Sequence, residues 1–264
     1  MAGDQDKPSI IRWAMRAWRD TAAAIQQMPA ALGLGVFIVV AAHVLAETFI
    51  VPKPRTGAGI SRDLLVFMFG LVEAFLLVPV GIAVHRYVLL GERAASYRLD
   101  LANARFRRFF LFTVVIEIIF LIPGMTIGLA DKFSEPMQLV VVVAGISLSA
   151  YAVVVMLRTL ILFPAIAVDA AGAEWSNALR DTQGHAWRMF FMLVVAGVPI
   201  IALYVLIVSL WPDDPPMPIA AIVSATDAVM ITLITVVYAA LASRMFAALA
   251  ERLTGTHGDD VPQR

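Results

Sequence analysis

"AEWSNALRDTQGHAWRMFFMLVV", residues 173–195, begins polar and then, at Trp187-Arg188-Met189-Phe190-Phe191, plunges into apolar sequence. Such a run is a catalytic loop, a binding segment or the place where a chain leaves a membrane, and its surroundings decide between them. The 264 residues are 61% hydrophobic and 15% charged, with a mean hydropathy of +0.84. Soluble domains carry about a quarter charged residues. The composition is that of a membrane protein, and the polar run reads as a junction between two spans.

A span of the hydrocarbon core needs about 20 apolar residues. Six segments qualify, at 30–51, 64–90, 109–130, 137–165, 189–211 and 218–245. Stretches such as "VPKPRTGAGIS", "DKFSEP" and "WPDDPPMP" separate them, their Pro and Gly marking tight helix exits. The expected fold is all-α: a polytopic membrane protein of six transmembrane helices in three hairpins. The whole chain, 1–264, reads as one integral membrane domain with a polar tail at 254–264.

Orientation follows from the basic residues. Lys7, Arg12, Arg16 and Arg19, then Arg86, Arg93, Arg98, Arg105, Arg107 and Arg108, fall on one side. Arg158, Arg180, Arg188, Arg244, Arg252 and Arg264 join them, leaving only Lys53, Arg55, Arg62 and Lys132 opposite. The positive-inside rule then predicts both termini in the cytoplasm. The N-terminus, MAGDQDKPS, lacks the features of a secretory signal, so the first apolar segment is expected to remain as an anchor.

Amphipathic stretches precede the odd-numbered spans on the predicted cytoplasmic side. Residues 9–27 place Ile10, Ala14, Ala17, Trp18, Thr21 and Ile25 on one face, which predicts an interfacial helix. The second stretch is "ERAASYRLDLANARFRRFF", and the third, 173–184, is again expected to form an interfacial helix. "RRFFLFTVV" (107–115) resembles "RMFFMLVV" (188–195), suggesting three copies of one unit, although similar membrane exits produce the same likeness.

Polar groups inside spans are the usual pointers to function, because burying them is costly. His43, Glu47, Glu73 and Asp227 fall in the middle or outer half of the bilayer. Glu117 and Arg158 fall in the inner half, on adjacent spans, where an ion pair is plausible. Structural pairing and a proton or cation path are both open readings. Neither a metal site nor a catalytic set emerges: there is no Cys and no His-Glu-x-x-His, Ser147 and Ser149 have no evident base, and no cofactor motif occurs. Net charge is zero, giving no reason to expect nucleic acid as a partner. Arg105, Arg107 and Arg108, with Arg180 and Arg188, are expected to face anionic lipid headgroups. Trp13, Trp18, Trp175 and Trp187 read as interfacial anchors. "GMTIG" (124–128) is a close-packing motif or a span end.

Residues 157–195 resemble the recurring signature of bacterial six-span proteins related to the membrane domain attached to glycerophosphoryl diester phosphodiesterases. The matching features are Arg158, Pro164-Ala165, Ala178-Leu179-Arg180, Gly184, and Trp187-Arg188-x-Phe190. "VGIAVHRYVLLGE" (80–92) is similar to the segment after the second span of such proteins. The resemblance implies a membrane domain alone, because the phosphodiester chemistry belongs to a separate barrel of about 250 residues. The expected role is a non-enzymatic scaffold or accessory subunit of the bacterial inner membrane, organising lipid, a membrane protein partner or further copies of itself. A small transporter comes next, requiring a polar cavity lined by His43, Glu73 or Asp227, and an intramembrane enzyme third.

Overall fold

The computed structural model describes residues 9–46, 60–211 and 216–255, which form helices and no strand. In chain order these are α1 (Ile10–Gln27), α2 (Pro29–Leu45), α3 (Ile60–Leu90), α4 (Ala104–Gly128), α5 (Glu135–Thr159), α6 (Leu162–Ala167), α7 (Trp175–Asp181), α8 (Ala186–Val208) and α9 (Met217–Leu249). Five of them, α3, α4, α5, α8 and α9, are long and apolar enough to cross a membrane. Their most apolar windows are only 11–28% buried within the protein, so most of that surface is left for lipid. Leu111 and Ile122 on α4 and Leu139, Val140 and Ile146 on α5 are examples. By helix length and composition this is a multi-pass membrane protein.

The sixth span is less regular. α1 and α2 meet at 97° and count as one broken span only if taken together. Proline disfavours helical geometry in the residue before it, and Met28, preceding Pro29, has φ −130° and ψ 47°. α2 alone has 17 residues, about 26 Å of helix against a hydrocarbon core of about 30 Å. The rest of the expected 30–51 segment, including Glu47, lies outside the described residues.

The 137–165 span also ends early. α5 stops at Thr159 and a separate helix, α6, starts at Leu162. Pro164 explains the break, since its ring would clash with the carbonyl of Leu160 in a continuous helix. α6 is almost wholly buried, under α3, α4 and α9.

The three amphipathic stretches take three different structures. The first is helical, and Ser9 accepts from the Arg12 amide at its start. Its face of Ala14, Ala17, Thr21 and Ala24 is buried against α8 and α9, however. The second is non-helical until Ala104. The third contains only the seven residues of α7.

α9 is the spine of the bundle, packing against α1, α2, α3, α6 and α8. α4 and α5 pair with each other beyond α3.

Candidate functional site

One face of α3 carries Gly70, Glu73, Ala74, Leu77, Val78, Gly81 and His85, at the three- and four-residue steps that bring side chains into line. Phe109, Thr113 and Glu117 do the same on α4, and Ile231, Thr235, Tyr238, Ala239 and Ala242 on α9. These faces enclose a slot of about 390 Å³. Along α3 it runs from His85 to Glu73, about 18 Å. Its walls are mostly apolar. Gly81 lets α3 and α4 approach closely, because a Cβ there would stand 3.1 Å from the Phe109 ring.

Three polar arrangements border the slot. At one end, the His43 imidazole contacts the Glu73 carboxylate, joining α2 to α3. Asp227 of α9 hydrogen-bonds with Tyr204 of α8 and lies within electrostatic range of His43. Asp227 Oδ1 is buried and has no hydrogen-bond partner among the described residues. At the other end, His85 is 2% exposed and its Nδ1 lies 2.8 Å from Ser243 Oγ. Ser243 donates its only hydroxyl proton to the Ala239 carbonyl, also at 2.8 Å. In that arrangement the histidine donates from Nδ1, and in the neutral ring Nε2 is left as an acceptor.

Between these ends stands Glu117. The ion pair considered for it with Arg158 does not form. Arg158 instead donates to the Leu179 carbonyl, and Thr182 donates to the Arg158 carbonyl at 2.8 Å. Arg158 thus fastens α7 to the end of α5, while Glu117 lines the slot. Among the described residues Glu117 makes no hydrogen bond or ion pair.

The residues expected at lipid headgroups are largely engaged with protein. Arg105 pairs with Asp169 (Nε to Oδ2 3.0 Å), Arg107 donates to Ala102 O at 2.9 Å and Arg108 to Ala173 O at 3.0 Å. Asp169 is held below the usual carboxylate range by its bond from Arg105, assisted by the charges of Arg105, Arg86 and Arg108 and opposed by partial burial. Arg105 is half-buried, whereas Arg107 and Arg108 stay exposed. Arg180 is exposed and Arg188 half-buried.

Among the tryptophans, only Trp187 is well exposed, at 75%. Trp18 donates to Ala196 O at 3.1 Å, Trp175 packs edge-on against Phe112, and Trp13 Nε1 is buried. These three pack inside the bundle because α1 and α7 dock on it.

A second hollow, of about 250 Å³, lies at the arginine-rich end between α2, α3, α4 and the 91–103 loop. Leu32, Val80, Ile82 and Phe106 contribute to its apolar wall, and Arg86, Glu92, Arg93, Arg98, Asp100 and Arg105 to its charged one. Arg86 is occupied by both oxygens of Glu92, at 2.7 and 2.6 Å.

Sequence reading overlooked His85, Ser243 and Tyr238. The aligned steps from Gly70 to His85 were the available signal, and they point to the slot once α3 is read as a helix with a polar face. Among the described residues no group of three His, Asp or Glu could hold a metal ion. No protein-family model, curated protein or solved structure matches the chain.

Proposed function

We infer that the chain is a single-domain protein of the bacterial cytoplasmic membrane, with both termini and the arginine-rich end inside the cell, and that it works as a small transporter-type component. The slot between α3, α4 and α9 is its solute site. The observation that carries this reading is Glu117, a carboxyl group without a protein partner on the wall of a cavity within apolar spans. An intramembrane charge of that kind is expensive to keep and marks function by default. The reading rests on Glu117; Glu73 is paired with His43 between α2 and α3, and Asp227, bonded to Tyr204, keeps one buried oxygen without a partner among the described residues.

The lack of cysteine makes the test direct. Ala74→Cys and Ala242→Cys, each as the single thiol in vesicles of known orientation, are exposed to a membrane-impermeant maleimide from either face. Labelling from both faces supports transport. Labelling from one face, or from neither, sinks it.

The accessory-scaffold reading favoured by sequence becomes the second one, since Arg105, Arg107 and Arg108 are tied to protein groups. What supports it is the arginine-rich hollow, where Arg93 and Arg98 above an apolar wall suit an anionic lipid headgroup. Co-purified phosphatidylglycerol that disappears in Arg93→Ala/Arg98→Ala favours this role; unchanged lipid content counts against it.

A further inference from the structure

The slot's polar groups are of one kind. Glu117 presents a carboxyl group with no partner among the described residues, Glu73 shares its carboxylate with His43, and His85 has Nε2 as an acceptor while Ser243 donates to Ala239. Thr113 and Thr235 spend their hydroxyl protons on their own helices, at Phe109 O (3.0 Å) and Ile231 O (2.8 Å), leaving only lone pairs. Tyr238 turns its hydroxyl to α8, where a Cβ on Gly197 would stand 2.4 Å from it. Among the described residues no Lys or Arg lines the slot. A cavity that offers acceptors and negative charge between apolar walls selects a ligand that brings donors, positive charge and an apolar body.

We propose that the α3–α4–α9 slot binds a protonated amine carrying an apolar chain or ring, its ammonium group against Glu117 and its body along the α3 and α9 walls. An ammonium supplies three N–H donors to the Glu117 carboxyl group, which has no other partner among the described residues. An alcohol of the same shape supplies one donor and no charge, and a carboxylate meets repulsion from Glu73 and Glu117. The proposal rests on the transporter reading for its site and adds the class of solute.

The test uses the full chain in detergent micelles and three probes of equal chain length: hexylammonium, hexanol and hexanoate, measured by calorimetric titration at pH 7. Hydrogen bonds to charged groups contribute roughly 1.5–3 kcal/mol, so hexylammonium is expected to bind about ten-fold or more tighter than hexanol, with hexanoate weakest. Glu117→Gln should bring the ammonium and alcohol affinities together. Glu117→Asp, which keeps the charge, should retain the preference and guards against a folding defect in the first variant. Equal affinity for ammonium and alcohol in the unaltered protein overturns the proposal, as does a preference for hexanoate or an ammonium preference that survives Glu117→Gln. If thiol labelling shows the slot open to both faces while the ammonium preference is absent, the solute class fails and the transporter reading stands. A clear ammonium preference with labelling from one face leaves a binding site for amines in a protein that does not transport them.

Discussion

Tyr97 donates its phenol proton to the carbonyl of Leu76 across 2.8 Å, tying the 91–103 loop to α3 about 21 Å before that helix ends. Pro79, lacking an N–H, leaves the Phe75 carbonyl without its helical donor one residue before Leu76. Gly35 leaves room for the ring, since a Cβ there would stand 3.2 Å from Tyr97 Cδ2 and 2.6 Å from Val80 Cγ2. The half-buried Tyr97 is thus one of the contacts that hold the loop against the bundle, together with the Ala94 amide, which donates to Met28 Sδ at 3.2 Å.

Removing that tether should loosen the loop without unfolding the protein. Tyr97→Phe loses one hydrogen bond, for about 1 kcal/mol. Gly35→Val forces Val80 and Tyr97 aside and should be worse, on the order of 1–3 kcal/mol. Burial also pushes the Tyr97 phenol up to about 12, above the ordinary value of about 10. A folded pKa raised in this way gives stability that is fully present below pH 10 and lost as pH rises towards 12. Melting temperature in detergent should fall more steeply between those values for the unaltered protein than for Tyr97→Phe. Parallel curves would disprove the tether's part in the alkaline loss.

At the arginine-rich end, Asp169 is held in the left-handed region at φ 54° and receives Arg105. Asn tolerates that backbone well, so Asp169→Asn removes charge while leaving the turn intact. Because the folded pKa lies below the ordinary value, the stabilisation is present above about pH 4 and fades as pH falls through the lowered value. The carboxylate is 54% exposed, which limits the pair to about 0.2–1 kcal/mol. Melting curves of Asp169→Asn and the unaltered protein should differ at pH 7 and converge in strong acid. A gap that widens in acid would contradict the assignment.

How far the sequence could be read follows the range of the forces involved. Span lengths depend on local hydropathy, and the 64–90 segment lies within α3 at Ile60–Leu90 for that reason. Pro164 was visible as a breaker at 137–165, yet whether it ends or kinks a helix depends on what α6 packs against. "GMTIG" illustrates the limit. A Cβ on Gly124 or Gly128 meets nothing within 4 Å, whereas one on Gly145, in no motif, would stand 2.4 Å from Ile127 Cγ1. Partner choice is tertiary, and so Glu117 and Arg158 matched by depth without meeting. Tryptophan and arginine placed by depth alone read as headgroup contacts, because the docking of α1 and the carbonyls left open at helix ends cannot be seen in one sequence.

Glycine positions separate packing from propensity. A Cβ on Gly172 would stand 2.2 Å from the Arg252 carbonyl oxygen, at the turn where the Gly172 amide donates to Leu253 O across 3.0 Å. Asp181 holds the same turn, accepting from the Arg252 and Leu253 amides at 3.1 and 3.0 Å. Gly172→Ala should release the turn and expose the C-terminal segment to limited proteolysis. Gly33→Ala in α2 meets nothing within 4 Å and should raise stability by about 1 kcal/mol through helix propensity. Equal protease resistance in the two variants would argue that the turn is not held by close backbone approach.

The buried pair His85 and Ser243 yields the sharpest test of the slot's inner end. Ser243→Ala leaves the His85 Nδ1–H without an acceptor inside the bundle, which costs about 1–3 kcal/mol. The ring has an escape, because the other tautomer carries its proton on Nε2, directed by whatever the slot then holds. Ser243→Ala should therefore lower the melting temperature and change the ¹⁵N shifts of His85 from an Nδ1-protonated pattern to a mixture. His85→Gln keeps a donor and an acceptor at the same depth and should recover part of the stability lost in His85→Ala. If the nitrogen shifts of the unaltered protein already report Nε2–H, the hydroxyl of Ser243 is donating to the ring rather than to Ala239, and the inner end of the slot then presents a donor.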